Sequence, residues 1–350
     1  MSAYGIVSDT HHHLWSAFAT TLESGVNSRL QMLLDETKRC AAEVRLAGGN
    51  TIVHAGDLFH VRGSVAPSVL NPTMDCYRDI IKSGTNIVIL AGNHDLEGKD
   101  SNRIGSAITA LEGVGCKVIN SANYSVGELV MIPWHKDIDK LKTAIEAVAP
   151  EHRPHADLIL HAPIDGVIKG LPDHGLTDTY LAGLGYRRVF SGHYHNHKDF
   201  GNGVYSIGAL AHHTWGDIGS KAGFLVVPDG GAPVKWFKSH APEFVDLDGD
   251  AATDDLELLV DGNFVRVKIA STSQKDVQEL RTFLEKCGAK GVTILAQKAS
   301  AVEARTGSTV SAGASMAVSV NDFIASKALP NTSQLAQLCQ DILTETEAAS

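Results

Sequence analysis

Five short segments of this 350-residue chain carry carboxylate, amide and imidazole side chains at spacings suited to holding metal ions. They are Asp9-Thr-His11, Gly56-Asp57-Leu-Phe-His60, Gly92-Asn93-His94-Asp95, the single His161, and Gly192-His193-Tyr-His195. Each alone is weak, because a histidine at the end of a strand more often satisfies local structure than a metal. Their succession is the signal. Asp9 with His11, and His193 with His195, are i, i+2 pairs that extended backbone would point to one side, gripping one ion or two neighbouring ones. Three oxygen donors (Asp9, Asp57, Asn93) and four imidazoles (His11, His161, His193, His195) make seven ligands. That is too many for one tetrahedral ion and suits two ions sharing a bridging carboxylate. Nitrogen and oxygen ligands without thiolate favour Mn, Fe or Zn over Mg or Ca.

The elements that must position these residues are short β-branched apolar runs ending in Asp, Asn or His. Tyr4 to Asp9, Thr51 to Asp57 and Asn86 to His94 are such runs, followed by Leu129 to Pro133, Asp157 to His161, Arg187 to His193, Val204 to Ile207 and Gly223 to Val227. Between the early runs lie helical patterns, one carrying Leu30, Leu33, Leu34, Thr37, Ala41 and Val44 on one face and another from about Pro67 to Lys82. Alternation of strand and helix predicts an α/β layered fold with a largely parallel early sheet. The later strands lie too close together for crossover helices, so antiparallel or mixed pairing is expected there. In open α/β sheets ligands sit beyond the carboxyl ends of strands, where all five segments fall.

Histidine and charge divide the chain at one place. Sixteen of 17 histidines lie in residues 1–239, the last is His240, and none follows. Residues 1–239 carry a net charge of −3 and residues 240–350 a net charge of −7, within a total of −10. Bulk positive charge therefore cannot be what holds a polyanionic ligand. With 43% hydrophobic residues, 33 Gly and 11 Pro, the chain is globular rather than collagen-like or disordered. No apolar run reaches the roughly 20 residues of a membrane span, and five scattered cysteines suggest no disulfide framework, so a soluble, cytoplasmic protein is expected.

The order Asp-x-His, Gly-Asp-x-x-His, Gly-Asn-His-Asp, a single His, then Gly-His-x-His resembles the calcineurin-like metallophosphoesterase superfamily. The segment Ala55-Gly-Asp-Leu-Phe-His60 is similar to its DNA-repair branch, the SbcD (Mre-eleven) nucleases. The likeness in order runs on through Tyr205-Ser-Ile-Gly-Ala and Lys221-Ala-Gly-Phe-Leu-Val. The first segment departs from the family's usual Leu-Gly, having His12-His13-Leu14 after its ligand histidine. The resemblance implies a layered sandwich of mixed β-sheets flanked by helices, with a small α/β cap and a helical tail. It implies that Asp9, His11, Asp57 and His195 hold one divalent ion, and Asp57, Asn93, His161 and His193 the other. The expected pair is Mn2+, ahead of Mg2+, Fe or Zn. His94 would protonate the leaving alkoxide, and His60 would assist in holding the phosphate or in setting strand geometry. Arg62, Lys99, Arg103 and Lys198, close to these segments, are candidate phosphate contacts, while His12, His13, His54, His135, His197, His212 and His213 read as core or solvent-facing residues.

The resemblance places a metallophosphoesterase domain in residues 1–240 and a capping domain in 241–298. The cap's pattern is strand, helix, strand: Asn263 to Ile269, Gln274 to Lys286, Gly291 to Leu295. Asp246, Asp248, Asp250, Asp254 and Glu257 match an EF-hand register, yet Gly249 misses the position the loop's turn requires, so an acidic connecting loop is the reading. Residues 299–317, rich in small side chains, read as a flexible linker. Residues 318–346 carry two short amphipathic helices, one capped by Ser319 and running through Phe323 and Ile324, the other striped by Leu335, Leu338, Cys339 and Ile342. In SbcD-like nucleases such helices grip the coiled-coil base of an SbcC-type, SMC-like ATPase. The implied function is therefore a two-metal DNA exonuclease and endonuclease, homodimeric, partnered by that ATPase and by DNA, with no membrane.

Alternatives are another phosphoesterase of the superfamily, acting on cyclic nucleotides or small phosphodiesters, and a scaffold that has lost catalysis. A Ser/Thr phosphatase would carry Asp-Arg-Gly where Asp57-Leu-Phe stands and an Arg before Gly92. Two divalent ions would bring residues 1–239 to about +1 where phosphate approaches. The chain alone should then bind DNA weakly, depending on metal, a dimer and a basic partner.

Overall fold

The computed structural model describes residues 2–121, 124–126, 128–228, 232–247, 253–269, 273–296, 323–324 and 331–348. Residues 1–268 with 278–295 form one compact unit, and residues 269–277 with 296–350 form another.

Two six-stranded sheets face each other in the first unit. In one, β1 (Tyr4–Val7), β2 (Thr51–His54), β3 (Asn86–Leu90) and β4 (Lys117–Ile119) run parallel. Beyond β1 it is extended antiparallel by β11 (Gly223–Val227) and β12 (Lys235–Lys238). The other has the order β5 (Tyr124–Val126), β6 (Leu129–Ile132), β7 (Asp157–His161), β8 (Arg188–Gly192), β10 (Val204–Ser206), β9 (Lys198–Asp199). Alternation along each strand separates two cores. On β1 and β2, Tyr4, Ile6 and Val53 join Leu90, Met131, Ile159, Phe190 and Leu225 between the sheets. Val7 and Ile52 instead meet helices α1 (Ser28–Leu46) and α2 (Pro67–Lys82) on the outer face. The second sheet is covered by α3 (Ile138–Glu146) and α4 (Asp178–Gly183) through Leu141, Ile145 and Leu181. The result is the helix, sheet, sheet, helix sandwich.

Local sequence accounts for these elements. Asn27 caps α1, its side chain accepting from the N–H groups of Arg29 and Leu30, and the helix buries Leu30, Leu33, Leu34, Thr37, Ala41 and Val44. Proline at the first helical position opens α2. The early sheet is parallel, as its spacing predicts. The later sheet is mixed, as expected, with β5 and β9 antiparallel at its edges. Crossover helices do fit there, however, because α3 and α4 join the parallel β6, β7 and β8, and β8 and β10 are parallel although no helix joins them. The chain leaves β8, passes beyond β10 to the edge as β9, and turns back antiparallel into β10, so the hairpin replaces a crossover helix.

Strands β13 (Phe244–Leu247), β14 (Phe264–Ile269) and β15 (Gly291–Ala296) form a third sheet, accompanied by α5 (Thr253–Val260) and α6 (Gln274–Lys286). The acidic stretch is thus not simply a loop. Asp246 lies on β13 and pairs with Arg266 of β14 at 2.5 and 2.7 Å, while EF-hand positions 248–252 and the linker 299–317 fall outside the described residues. In the tail, Phe323 and Ile324 are helical and α7 spans Thr332–Ala348, with Leu335 and Leu338 exposed. Among the described residues no helix is long and apolar enough to cross a membrane.

One buried charge ties the two sheets together. Asp157, at the start of β7, is fully buried. It accepts from the Tyr4 hydroxyl at 2.6 Å, from Arg187 at 2.9 and 3.0 Å, and from Arg188 at 2.9 and 2.8 Å. Burial alone would raise this carboxyl, but the two guanidinium groups and Tyr4 hold it below its usual value. Asp157→Ala strands the largely buried Arg188 and is expected to cost about 3–5 kcal/mol of stability in urea unfolding at pH 7. A lowered folded pKa contributes stability above the unfolded value near 4 and loses it below. The gap between wild type and Asp157→Ala should therefore narrow as pH falls below about 4.

Candidate metal centre

All five segments meet beyond the carboxyl ends of β1, β2, β3, β7 and β8. The loops after β1 and β2 stay zipped together: the N–H groups of Asp9, His11 and His12 donate to the carbonyls of Gly56, Asp57 and Leu58 at 3.0, 3.1 and 2.7 Å. Asp95 ties in the third loop, its two oxygens accepting from the N–H groups of Phe59 and Gly92 at 3.0 and 2.9 Å.

The side chains converge by a different route from the one the sequence suggests. Asp9, His11, Asp57 and His193 have φ of +49°, +42°, +54° and +96°. These residues are in the left-handed region, not extended, so the i, i+2 pairs are aimed by sharp turns. Such conformations cost about 1–3 kcal/mol each for ordinary residues and cluster at functional sites. The neighbouring glycines make room. A Cβ on Gly56, itself at φ +100°, would lie 2.2 Å from His161 Nδ1, and one on Gly192 would lie 2.1 Å from Ser8 Oγ.

Two ligand clusters result. Atoms of Asp9, His11 and His195 lie within 4.8 Å of one another, and so do those of Asp57, His161 and His193. In the first, the Nε2 atoms of His11 and His195 face each other at 3.2 Å. In the second, Asn93 Oδ1 stands 3.1 Å from His161 Nε2 and 3.0 Å from His193 Nδ1. Asp57 joins them: its Oδ2 is 3.3 Å from His161 Nε2 and 3.9 Å from His11 Nε2, while its Oδ1 accepts from the His94 N–H at 2.7 Å. His161 donates Nδ1–H to the Ala55 carbonyl at 2.8 Å, which turns Nε2 toward the cluster.

Electrostatics and unsatisfied atoms fit cations at both clusters. Asp9 Oδ2 accepts from Ser8 Oγ and the His193 N–H, but its Oδ1 is buried and has no partner. Burial, together with the nearby Asp57, raises the Asp9 carboxyl. Burial would also lower His161, yet the Asp57 carboxylate reverses this and lifts it to about 9. Asp57 in turn sits below the usual carboxylate range, because the charge of His161 overcomes burial. Burial pushes His193 down to about 3, leaving it neutral and able to bind metal. Crowded carboxylates, the neutral imidazole of His193 and an orphaned buried oxygen are what divalent cations would satisfy. The clusters fit two divalent ions.

His94 and His60 flank this centre. His94 Nδ1–H donates to the His60 carbonyl at 2.7 Å, and the two rings stack at 15°. Among the described residues the Nε2 of His94 has no hydrogen-bond partner. His60 Nδ1 lies 3.5 Å from His11 Nδ1. His11, His60 and His94 also cluster within 4.8 Å, but without a carboxylate and with His94 Nδ1 already engaged. Of the four basic candidates, Arg62 and Lys99 are exposed and unpaired among the described residues. Arg103 is instead ion-paired with Glu112, and Lys198 Nζ donates to the Gly166 carbonyl at 2.8 Å.

Several supporting residues carry no sequence signal. Asp217 accepts from His195 Nδ1–H at 2.7 Å. Trp134 stacks on His193 at 5.1 Å and 25°, and Trp15 stacks on His213 at 5.4 Å and 13°. His213, expected in the core or at the surface, is buried and donates Nε2–H to the Asp9 carbonyl at 2.8 Å. His12, His54 and His212 are structural, bonding Thr73, Thr10 and the Ser220 carbonyl. Thr214 and Asp217, three residues apart as the N-cap and third residue of the short turn Trp215–Asp217, have capping-box spacing, the one hint of Asp217 in the sequence.

A family model described as calcineurin-like phosphoesterase matches residues 4–197, the span that holds every candidate ligand. No curated protein matches the chain. Among solved structures, the nuclease MPE of Pseudomonas putida is 18% identical with a TM-score of 0.30, and the match covers 55% of this chain and 62% of that one. A dimetal phosphatase from Danio rerio is 10% identical with a TM-score of 0.35, covering 68% of this chain and 99% of that one. Likenesses of this size decide nothing about substrate.

Proposed function

The chain belongs to the calcineurin-like phosphoesterase family, and on that premise we propose that it is a two-metal phosphodiesterase that cuts DNA, of the SbcD type. The observation that carries the chemistry is the Asp57 carboxylate standing between two ligand clusters, with the open Nε2 of His94 beside them. Asp9, His11, Asp57 and His195 would hold one ion, and Asp57, Asn93, His161 and His193 the other. When bound, the ions would offset phosphate charge and lower the pKa of the attacking water. His94 donates a proton from Nε2 to the departing alkoxide, the His60 carbonyl fixing its ring from behind. His60 itself braces His11, and Arg62 and Lys99 meet flanking phosphates.

Support for a nucleic-acid substrate is the likeness of the 55–60 segment to SbcD nucleases and the room beside the centre. A cleft of about 650 Å³ opens against His193 and His195, walled by Val167, Ile168, Tyr194 and Ile218 with Lys169 at its edge. That is ample for a nucleotide. The same proposal extends to a homodimer and to an SbcC-type ATPase gripping residues 318–346, where Leu335 and Leu338 are exposed. Mn2+ is the proposed metal. The test is the full chain with Mn2+ on linear DNA and on bis(p-nitrophenyl) phosphate. Release of nucleotides from DNA is expected, stimulated by the ATPase with ATP. Hydrolysis of the small ester alone, with or without the ATPase, would make the chain a small-phosphodiester hydrolase.

A further inference from the structure

His195 is held unlike the other candidate ligands, by a carboxylate far along the chain. Asp217 ends a short helical turn, Trp215–Asp217, and is 6% exposed. Its Oδ2 accepts from the N–H groups of His213 and Thr214, both at 2.8 Å, so the group is fixed independently of His195. Its Oδ1 takes the Nδ1–H of His195, which leaves Nε2 as the ring's only metal-facing atom. The turn is anchored in turn. Trp215 packs edge-on against Phe244 at 4.8 Å, and the Arg266 guanidinium lies 4.5 Å over its ring.

We propose that Asp217 is a positioning residue for the ion held by Asp9, His11 and His195, locking His195 in the tautomer and orientation that ligate through Nε2. This rests on the two-metal reading above. A carboxylate behind a ligating imidazole fixes its ring and raises its basicity, and loss of such a partner weakens metal affinity about 10–100-fold. In Asp217→Asn one oxygen must serve the two backbone donors, and the amide NH2 then confronts His195 Nδ1 and disfavours the ligating tautomer. Asp217→Glu keeps the charge but displaces it by a methylene.

The experiment titrates the metal-stripped full chain with Mn2+ and reads free Mn2+ by its EPR signal. Wild type should take two ions. Both Asp217 variants should bind one ion about 10–100-fold more weakly and the other within about threefold of wild type. Thr214→Ala removes the capping bonds its hydroxyl takes from the Gly216 and Asp217 N–H groups but keeps the Asp217 carboxylate's bonds to the His213 and Thr214 N–H groups and to His195, and should leave both affinities within about threefold. Two ions at wild-type affinity in the Asp217 variants would overturn the assignment, as would an equal loss in Thr214→Ala, which would reduce Asp217 to loop packing. Failure of wild type to take a second ion would instead overturn the two-metal reading itself.

Discussion

His94→Ala is expected to lower kcat on DNA by about 10²–10⁴-fold while both ions remain bound. The side chain stands outside the two clusters that would hold metal, and its Nδ1–H is spent on the His60 carbonyl. What the substitution removes is the open Nε2, which stands beside the centre to hand a proton to a leaving group. The main-chain N–H that donates to Asp57 Oδ1 survives the change, so the bridging carboxylate keeps that support. A deoxyribose alkoxide needs the proton badly, and p-nitrophenolate scarcely needs it at all. The loss should therefore shrink sharply for bis(p-nitrophenyl) phosphate. An equal loss on both substrates, or the departure of a metal, would remove His94 from the role of acid.

Asp57→Ala should do more, abolishing tight binding of both ions and lowering activity by about 10³-fold or more, since the metal charge supplies several kcal/mol of stabilisation. Among the described residues Asp57 is the carboxylate within reach of an imidazole from each cluster, at 3.3 Å from His161 and 3.9 Å from His11. His161→Ala, which touches only one cluster, should lose one ion and keep the other. Metal content after gel filtration separates the two variants. Retention of two ions by Asp57→Ala would show that the clusters bind independently.

The contrast between what could and could not be read in the chain follows from how each feature is encoded. Strands ending in Asp, Asn or His announce themselves because an apolar β-branched run stops abruptly at a polar residue, as at Val53, His54 and then Asp57. Parallel packing places such ends side by side, so order along the chain becomes proximity. The turns at Asp9, His11, Asp57 and His193 are not legible in this way, because residues other than glycine rarely take positive φ and the conformation is imposed by the zipped loops around them. Asp217 is hidden for another reason. It lies 22 residues beyond His195 in an irregular segment, and no periodicity links the two. The parallel pairing of β8 and β10 escaped a rule of connection length because the chain spends its short link on an edge hairpin.

If the chain works as proposed, Asp57 joins two metal positions into one centre. EPR of the Mn2+-saturated full chain tests it most directly. A multiline spectrum of two exchange-coupled ions, integrating to two Mn2+ per folded chain, is the predicted result. A six-line spectrum of isolated ions, or one ion per chain at saturation, would contradict it.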